Sequence, residues 1–280
     1  MELLQIKRTE INLGLKREYR FFQISDAHIS YYDGESSKED VDEHNRCEIV
    51  WHKQKKQFAD DNDEFCDDRY MIESTVLLEA LFARAKEFNA DAIFLSGDMM
   101  DRVTESNVRY LKNLFSKIDI PIIYCLGNHD YITINHEYEN QYEKIKDLTN
   151  KPEFSSVDYG DFELLVVDNN KPISDKQLEF LKCHLATDKK LLLLEHKPLL
   201  LGEFGENLLN KIGPYFFIGT ENDDQNTKEY VNLIKDNSKH FIAVLCGHIH
   251  FAREYKIADD LTQITSSSGL IGAGREIIIK

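Results

Sequence analysis

The sequence has few of the features that mark disulfide-rich, zinc-binding or membrane-spanning proteins. Its five cysteines fall in no paired spacing, so we predict neither a disulfide framework nor a cysteine-based zinc site. Cys125 and Cys246 end apolar runs, where a reduced thiol acts as a small hydrophobic side chain. No apolar run approaches the length of a membrane span, and the N-terminal stretch lacks the apolar core of a signal peptide. We therefore expect a cytoplasmic protein that does not associate with membranes.

Positive charge is also scarce. The chain carries 34 Lys and Arg against 50 Asp and Glu, which gives a formal net charge of −16. Proteins that bind nucleic acid usually carry a basic patch that neutralises phosphates. Here the one basic cluster, at 53–56, lies between acidic stretches and is typical of a solvated helix face. Nucleic acid is therefore not expected as the main ligand, although the charge does not exclude a small nucleotide as a ligand.

Apolar runs alternate with segments of helical periodicity over most of the chain. Short continuous apolar runs predict strands that are covered on both faces, and they lie at 19–25, 92–96, 120–126, 162–167, 191–194 and 241–246. The run at 274–279 predicts an edge strand. Apolar residues in a three-four rhythm predict helices at 72–88, 103–118 and 174–185, the last with Ser174 as its N-cap. This alternation is typical of an α/β architecture with sheet between helices.

The region 30–75 departs from this rhythm, because it is rich in Asp and Glu and contains the single tryptophan, Trp51, but no strand pattern. One interpretation is a solvated insertion of one or two helices. The other is a lid over a functional site. No repeat or Pro-rich linker divides the chain, so we predict one domain over 1–280 that carries this insertion.

Five polar clusters follow the predicted strands in a fixed order. They are Asp26-Ala-His28, Gly97-Asp98-Met-Met-Asp101, Gly127-Asn128-His129-Asp130, His196-Lys-Pro198 and Gly247-His248-Ile-His250. Loops that leave the carboxyl ends of neighbouring strands share one crevice. Carboxylate, imidazole and carboxamide groups together suit manganese, iron or zinc. Each motif alone is weak, but the set predicts a site for two divalent cations, where a shared water becomes a nucleophile toward phosphorus.

The order of these motifs resembles that of the calcineurin-like metallophosphoesterases over Asp26 to His250. The resemblance implies a four-layer sandwich of two mixed sheets flanked by helices, with a two-metal site above the sheet edges. The Gly-His-x-His ending is most similar to the bacterial cyclic-nucleotide phosphodiesterase branch. The resemblance also implies which residues bind metal: Asp26, His28 and His250 at the first ion, Asp98 at both, and Asn128, His196 and His248 at the second.

The same resemblance implies the roles of the remaining motif residues. His129 would stabilise charge on the phosphoryl group and protonate the leaving oxygen, and Asp101 would orient His129. Arg102 either grips a phosphate oxygen or is a surface residue at the start of a helix. Asp130 completes the motif and is a further candidate for substrate binding. Other aromatic or imidazole side chains that follow motifs either line the pocket or pack ordinarily: Tyr31, Tyr32, Tyr131 and His136.

These features predict a metal-dependent hydrolase of a small phosphorylated molecule, in which a metal-bridging hydroxide attacks without a covalent enzyme intermediate. Phosphodiesterase and phosphomonoesterase activity both stay open, and of the three candidate metals we favour manganese. The alternatives are a non-catalytic metal-binding scaffold of the same fold and a nuclease, which the acidic balance disfavours. We expect specificity to come from the region 30–75 and from the loops after Asp130 and Leu199.

Overall fold

The computed structural model describes residues 3–62, 72–132, 142–149 and 153–280. In chain order, these residues form β1 (Gln5–Ile11), β2 (Tyr19–Ile24), α1 (Lys38–Asn62), α2 (Ser74–Glu87), β3 (Ala92–Ser96), α3 (Glu105–Phe115), β4 (Ile122–Cys125), α4 (Tyr142–Ile145), β5 (Phe154–Asp158), β6 (Phe162–Val167), α5 (Asp175–Leu185), β7 (Lys190–Leu194), α6 (Gly202–Ile212), α7 (Gln225–Asp236), β8 (Phe241–Cys246), β9 (Arg253–Ala258), β10 (Leu261–Thr265) and β11 (Ala273–Ile279). The predicted strands and helices are all present, with ends that differ by a few residues.

The strands form two mixed sheets, in the orders β1-β11-β2-β3-β4 and β5-β6-β7-β8-β10-β9. In the first sheet β2, β3 and β4 run parallel, and in the second β6, β7, β8 and β10 do. The prediction that 274–279 is an edge strand is wrong. β11 lies between β1 and β2 and pairs with both, and a local apolar pattern cannot reveal which distant strands will flank it.

The two sheets pack face to face and helices cover their outer faces. Side chains alternate accordingly along each strand: Phe21 and Phe94 lie in the cluster between the sheets, whereas Phe22 and Ile93 pack among residues of α2 and α3. A third cluster joins the outer face of the second sheet to α5 and α7. Because both faces of these strands are buried, their sequences read as continuous apolar runs. The expected α/β sandwich of two mixed sheets flanked by helices is confirmed.

The helix ends follow the capping residues. Thr104 is the N-cap of α3 and its side chain accepts a hydrogen bond from Asn107 N, so the helix begins two residues later than its periodicity predicts. Ser174 caps α5 as predicted, and it forms a reciprocal capping box with Gln177. These caps satisfy backbone N–H groups that would otherwise lack partners at the helix start.

Helix α1 occupies much of the acidic region 30–75. Its polar face is exposed, but Cys47 is 1% exposed and Trp51 is 9% exposed, and both pack against Leu270. Residues 63–71, which include Cys66, and residues 133–141, which include His136, lie outside the described residues. In the described parts of the chain, none of the helices combines the length and the apolar character needed to span a membrane.

Candidate metal centre and the adjoining pocket

The five motif loops converge at one edge of the sandwich, because they leave adjacent parallel strands of each sheet. β2, β3 and β4 supply three loops, while β7 and β8 supply two. The buried Gln23 amide joins the two sheets just below this edge, donating to Ser96 Oγ (2.9 Å) and to the Cys246 carbonyl (3.1 Å). Gly247 N donates to the His196 carbonyl at 3.0 Å. Sheet packing therefore fixes the separation between loops that are far apart in sequence.

The backbone at this edge adopts a conformation that side-chain-bearing residues rarely take. Asp26, His28, Asp98, His248 and His250 have φ angles of 53°, 43°, 54°, 68° and 58°. Left-handed conformations in non-glycine residues cost free energy and tend to cluster where function requires them. Five of the candidate metal ligands thus lie at strained backbone positions that the surrounding loops enforce.

Two glycines permit the close approach of these loops. A Cβ at position 127 would lie 2.1 Å from Asp98 Oδ1, and a Cβ at position 247 would lie 1.7 Å from Ser25 Oγ. Both distances are far shorter than any tolerated carbon–oxygen contact, so any larger residue would push the loops apart. The glycines of the motifs are therefore needed for packing of the site itself.

One set of donor atoms gathers around the first motif. His250 Nε2 lies 3.3 Å from Asp26 Oδ1 and 3.1 Å from His28 Nε2. Asp98 Oδ2 lies 3.8 Å from the same His28 nitrogen. Asp26, His28 and His250 form a group of buried side chains that could hold a metal ion.

A second set shares Asp98 with the first. His196 Nε2 lies 3.3 Å from Asp98 Oδ2 and 3.1 Å from Asn128 Oδ1. His196 Nδ1 is 2.7 Å from the Ser96 carbonyl, a contact that places the proton on Nδ1 and leaves Nε2 as a donor atom. Asp98, His196 and His248 form the second group that could hold a metal ion. All seven predicted metal ligands therefore come together at this edge.

The protonation states of these groups suit cation binding. Burial, followed by the positive charge of His129, lowers the pKa of His28 to about 4. Burial and the charge of His196 hold the pKa of His248 well below its usual range. Burial alone would raise the pKa of Asp98, but the neighbouring imidazoles, His196 first, outweigh it and hold the pKa well below the ordinary value. The site thus presents ionised carboxylates beside the neutral imidazoles of His28 and His248, the form in which both types bind metal. Burial lowers the pKa of His196, but Asp98 outweighs it and raises that pKa to about 9, so a cation would displace a proton from this imidazole.

The donor set also contains a buried atom that only a ligand would satisfy. His248 Nε2 is buried without a hydrogen-bond partner among the described residues, and an unpaired buried polar atom is costly. His28 Nε2 and His250 Nε2 face each other at 3.1 Å, an arrangement that a shared cation stabilises. The residues present therefore fit a pair of divalent cations.

His129 lies beside the metal-ligand sets, with its main-chain N–H donating to Asp98 Oδ1 at 2.7 Å. Its Nδ1 is 3.0 Å from the Asp101 carbonyl and 3.3 Å from Asp101 Oδ1, which leaves Nε2 for the pocket. Burial lowers the pKa of His129, but Asp98 and Asp101 outweigh it and raise that pKa to about 9. The imidazole is therefore positively charged at neutral pH and is oriented by Asp101.

Side chains of helix α1 place hydrogen-bond donors around Asp101. Trp51 Nε1 donates to Asp101 Oδ1 at 3.0 Å, Arg46 Nη2 donates to Oδ2 at 3.2 Å, and Cys47 Sγ lies 2.9 Å from Oδ2. Burial and the nearby Asp101 charge raise the pKa of the Cys47 thiol, so the thiol stays protonated. Two further groups are close enough to hold a metal, one of His28, Asp98 and His129 and one of Glu43, Cys47 and Asp101. In the second of these, the arginine and indole donors already engage the oxygens of Asp101.

Arg102 and Asp130 lie behind the centre. Arg102 is 9% exposed, and its Nη1 donates to the Asp101 carbonyl at 2.5 Å and lies 3.0 Å from His129 Nδ1. The interpretation of Arg102 as a surface residue at a helix start is therefore wrong. Asp130 is fully buried and accepts hydrogen bonds from Asp98 N (3.0 Å), Gly127 N (2.8 Å) and the Tyr124 hydroxyl (2.8 Å). These contacts hold the second and third motif loops together.

A pocket of about 650 Å³ opens onto the metal-ligand sets. His28, Asp98, Asn128 and His129 line one side, together with Trp51 of α1. The rest of the lining comes from α6, from the turn at 214–216, and from the last motif with the residues that follow it. The described tyrosines Tyr31, Tyr32 and Tyr131 are not among the lining residues and take part in ordinary packing, for example between the rings of Tyr31 and Tyr110.

Sequence reasoning did not assign two parts of this site. The first is the group on α1 around Asp101, and its only signal was a lone Trp within an acidic region. The second is the aromatic pair Tyr215 and Phe216, whose ring centroids lie 5.6 Å and 5.2 Å from that of His248. The loop after Leu199 was predicted to influence specificity, but nothing in its sequence identified the individual residues.

Two donor groups that share one aspartate, at the carboxyl edge of a double-sheet α/β sandwich, define a candidate two-metal site. The family model described as calcineurin-like phosphoesterase matches residues 19–252. The chain therefore belongs to the calcineurin-like phosphoesterase family, as the motif order predicted. Enzymes of this family use binuclear divalent metal centres, and the clusters described above are the candidate metal-binding residues of this chain.

One of the solved structures similar to this chain shares its fold at low sequence identity. A dimetal phosphatase from Danio rerio is 12% identical with a TM-score of 0.57, covering 90% of this chain and 88% of the other. A 5'-nucleotidase from Candida albicans is 11% identical with a TM-score of 0.45, covering 90% of this chain and 45% of the other. A putative 5'-nucleotidase from Staphylococcus aureus is 13% identical with a TM-score of 0.39, covering 90% and 49% respectively. No curated protein matches the sequence.

Proposed function

We propose that this chain is a metal-dependent hydrolase that cleaves a phosphoester bond of a small phosphorylated molecule. One observation carries the proposal: two groups of buried donors face one pocket, and Asp98 lies between them, with its Oδ2 3.8 Å from His28 Nε2 and 3.3 Å from His196 Nε2. The pocket also contains the positively charged imidazole of His129. Family membership supports the same reaction class. We also propose that a single domain carries out the reaction and that α1 forms part of the pocket wall.

We assign the donors by their proximity. Asp26, His28 and His250 would hold one ion, Asp98 would contact both, and Asn128, His196 and His248 would hold the other. Bound there, two divalent cations lower the pKa of a water molecule and offset the negative charge of phosphate oxygens. The mixture of imidazole, carboxylate and carboxamide suits Mn²⁺, Fe²⁺ or Zn²⁺, and we favour Mn²⁺.

His129 is the proposed proton donor to the leaving oxygen. It is charged, its Nδ1 is held by Asp101, and its ring lines the pocket. Asp101 does not reach the pocket and acts by orienting His129. We assign Arg102 and Asp130 to positioning as well, because Arg102 Nη1 donates to the Asp101 carbonyl and the Asp130 carboxylate accepts from the Asp98 and Gly127 amides.

The reaction class is tested by hydrolysis of bis-(p-nitrophenyl) phosphate and p-nitrophenyl phosphate. Protein stripped with a chelator should be inactive and should recover turnover when Mn²⁺ is restored. Preference for the diester would support a phosphodiesterase, and preference for the monoester a phosphomonoesterase. His129→Ala should lose most turnover while keeping its bound metal, which elemental analysis measures, whereas full activity in this variant would refute the assigned role.

The same measurements separate the two alternatives. A non-catalytic scaffold would bind two metal equivalents and hydrolyse neither ester with any of the three metals. A nuclease would bind DNA with an affinity that falls steeply as salt rises. The net charge of −16 disfavours the nuclease, and the charged His129 facing the donor sets disfavours the scaffold.

A further inference from the structure

The pocket wall that lies outside the motifs is mostly apolar. Its members come from α6, from the turn that follows it and from the loop after β8: Phe204, Leu208, Ile212, Tyr215, Phe216 and Phe251. Pockets of this kind usually recognise the organic part of a ligand by burying it against apolar and aromatic surface. The wall would therefore contact the part of the substrate that is not phosphate.

This wall is physically continuous with the candidate metal centre. Leu208 of α6 clusters with Ile249 and Phe251, and Ile249 separates the two histidines of the last motif. The Phe216 ring centroid lies 5.2 Å from that of His248. A phosphoester whose phosphorus faces the metal-ligand sets would consequently place its organic group directly against these side chains.

The wall also presents apolar surface that is not covered by the rest of the described chain. Tyr215 is 61% exposed, and Ile212 and Phe216 are partly exposed. Contiguous exposed apolar surface at a pocket is typical of a ligand-binding site. An apolar ligand group would remove it from water, with a gain that grows with the area covered.

The polar side chains of the wall do not form a set that would recognise a polar organic group through hydrogen bonds. Apart from the motif residues and Trp51, the polar side chains that line the pocket are those of Asn207, Lys211, Tyr215 and Arg253. The Arg253 guanidinium lies over the Phe251 ring at 5.4 Å and donates to the Ala252 carbonyl. The two cations favour the approach of a phosphate to an otherwise acidic protein. A sugar or base would need several convergent hydrogen-bonding groups, and Asn207 supplies the single uncharged amide of this wall.

We infer that the substrate is a phosphoester with an apolar organic group, an alkyl chain or an aromatic ring, that lies along the α6 wall. This inference rests on the proposed phosphoester hydrolysis and names the class of substrate. Its two forms, chain and ring, share the same recognition chemistry and differ only in shape.

The test is a series of phosphoesters that differ in apolar size but not in leaving-group chemistry. Alkyl p-nitrophenyl phosphates serve if the diester is preferred, and alkyl phosphates with a phosphate-release assay serve if the monoester is preferred. We expect kcat/KM to rise roughly fourfold per methylene from methyl to butyl, about 60-fold in total, as each group is buried. Octyl and 2-phenylethyl members then distinguish a chain from a ring.

A second readout does not depend on turnover. Trp51 is the only tryptophan of the chain and lines this pocket, so its fluorescence reports a ligand bound there. Non-hydrolysable methyl-, butyl-, octyl- and phenylphosphonate are titrated into the Mn²⁺-loaded protein. The dissociation constant should fall in the same order and by similar factors as kcat/KM rises.

A matched pair of variants assigns the effect to the wall. Phe216→Ala should flatten the dependence of kcat/KM on apolar size. Phe180→Ala removes another partly exposed phenylalanine, on α5, where its ring packs on Phe154, and should leave that dependence unchanged. Equal slopes in both variants would refute the wall as the recognition surface.

The outcomes separate this inference from the proposed function. Turnover that does not depend on apolar size would overturn the inference and leave the hydrolase intact. Phosphonate binding that tightens with size but is accompanied by no turnover would support the apolar pocket and contradict the hydrolase. Neither turnover nor a fluorescence change would overturn both.

Discussion

The two sides of the pocket are built on different physical principles. On the motif side, buried charged groups sit on strained loops whose separation is fixed by two packed sheets, and Asp98 lies between the two donor sets, 3.8 Å from His28 Nε2 and 3.3 Å from His196 Nε2. On the opposite side, α6 and the turn after it present partly exposed apolar side chains. On the motif side, function tolerates almost no displacement of the donor atoms. On the α6 side, the contact with a ligand depends on the apolar area that is covered.

This difference predicts how each side responds to change. Interactions between buried charges at fixed geometry are lost nearly completely when one partner is removed. The binding free energy from apolar contact declines gradually as contact area is removed. Substitutions of the motif residues should therefore abolish function, and substitutions in α1 and α6 should adjust it.

The largest effect should come from Asp98→Asn. The amide keeps the volume of the side chain but removes the charge that the two donor sets share, so both the metal content and the turnover should fall. We expect kcat/KM to fall on the order of a thousandfold, measured with either p-nitrophenyl ester alongside elemental analysis. Wild-type turnover with two metal equivalents would show that Asp98 is not the shared ligand.

A backbone change should be almost as damaging. Gly127→Ala would place a Cβ 2.1 Å from Asp98 Oδ1, and the loop must move to relieve this overlap. A displacement of about 1 Å can cost roughly a hundredfold in rate, and overpacking costs about 1–3 kcal/mol in the free energy of unfolding. Gly34→Ala is the control, because its Cβ would meet no atom within 4 Å and should change neither quantity.

A third substitution tests whether α1 contributes to the site or only covers it. Trp51→Phe keeps an aromatic ring near His28, whose centroid lies 4.5 Å from that of Trp51, but removes the hydrogen bond to Asp101. Because Asp101 orients His129, we expect kcat to fall roughly tenfold with unchanged metal content. Ile49→Ala alters a 64% exposed residue of the same helix and should leave kcat unchanged, so equal effects of the two would indicate a general effect on α1.

The same contrast explains how much of the molecule could be predicted from its sequence. The metal-ligand sets could be located because each motif directly follows a continuous apolar run, and both signals are local. The position of β11 in its sheet could not be predicted, since its neighbours β1 and β2 lie far away in sequence. The edge strands β5 and β9 were missed as well, because their polar and half-exposed residues give no apolar run.

The residues of α1 and α6 show a second reason why parts of the pocket were not predicted. In α6 the apolar residues follow a helical rhythm, but two glycines and a Pro just after the helix obscure it in the sequence. Trp51 reaches Asp101 only through the path that α1 takes across the site, and this path depends on tertiary packing rather than on local propensity. Local patterns thus predicted the chemistry, while the surroundings that shape the pocket required the fold.

The smallest predicted effect concerns the exposed connection between the first motif and α1. Asp33 accepts hydrogen bonds from Arg109 of α3 at 2.6 Å and 3.1 Å, and the hydrogen bond to Arg109 lowers the Asp33 pKa to about 2. The ordinary Asp pKa is about 3.9, so this contact stabilises the fold fully above that pH and is lost as the pH falls toward 2. Asp33→Asn should lower the melting temperature slightly at neutral pH, and the difference from wild type should shrink below about pH 4.

The control for this last prediction is Glu35→Gln. Glu35 Oε2 lies 3.8 Å from Arg109 Nε and its side chain is 82% exposed, so solvent screens the pair and its removal should leave the melting temperature unchanged. A difference between Asp33→Asn and wild type that persists undiminished at pH 3 would mean that the hydrogen bonds to the neighbouring Glu35 amide and Ser36 hydroxyl, rather than the charge, hold this segment.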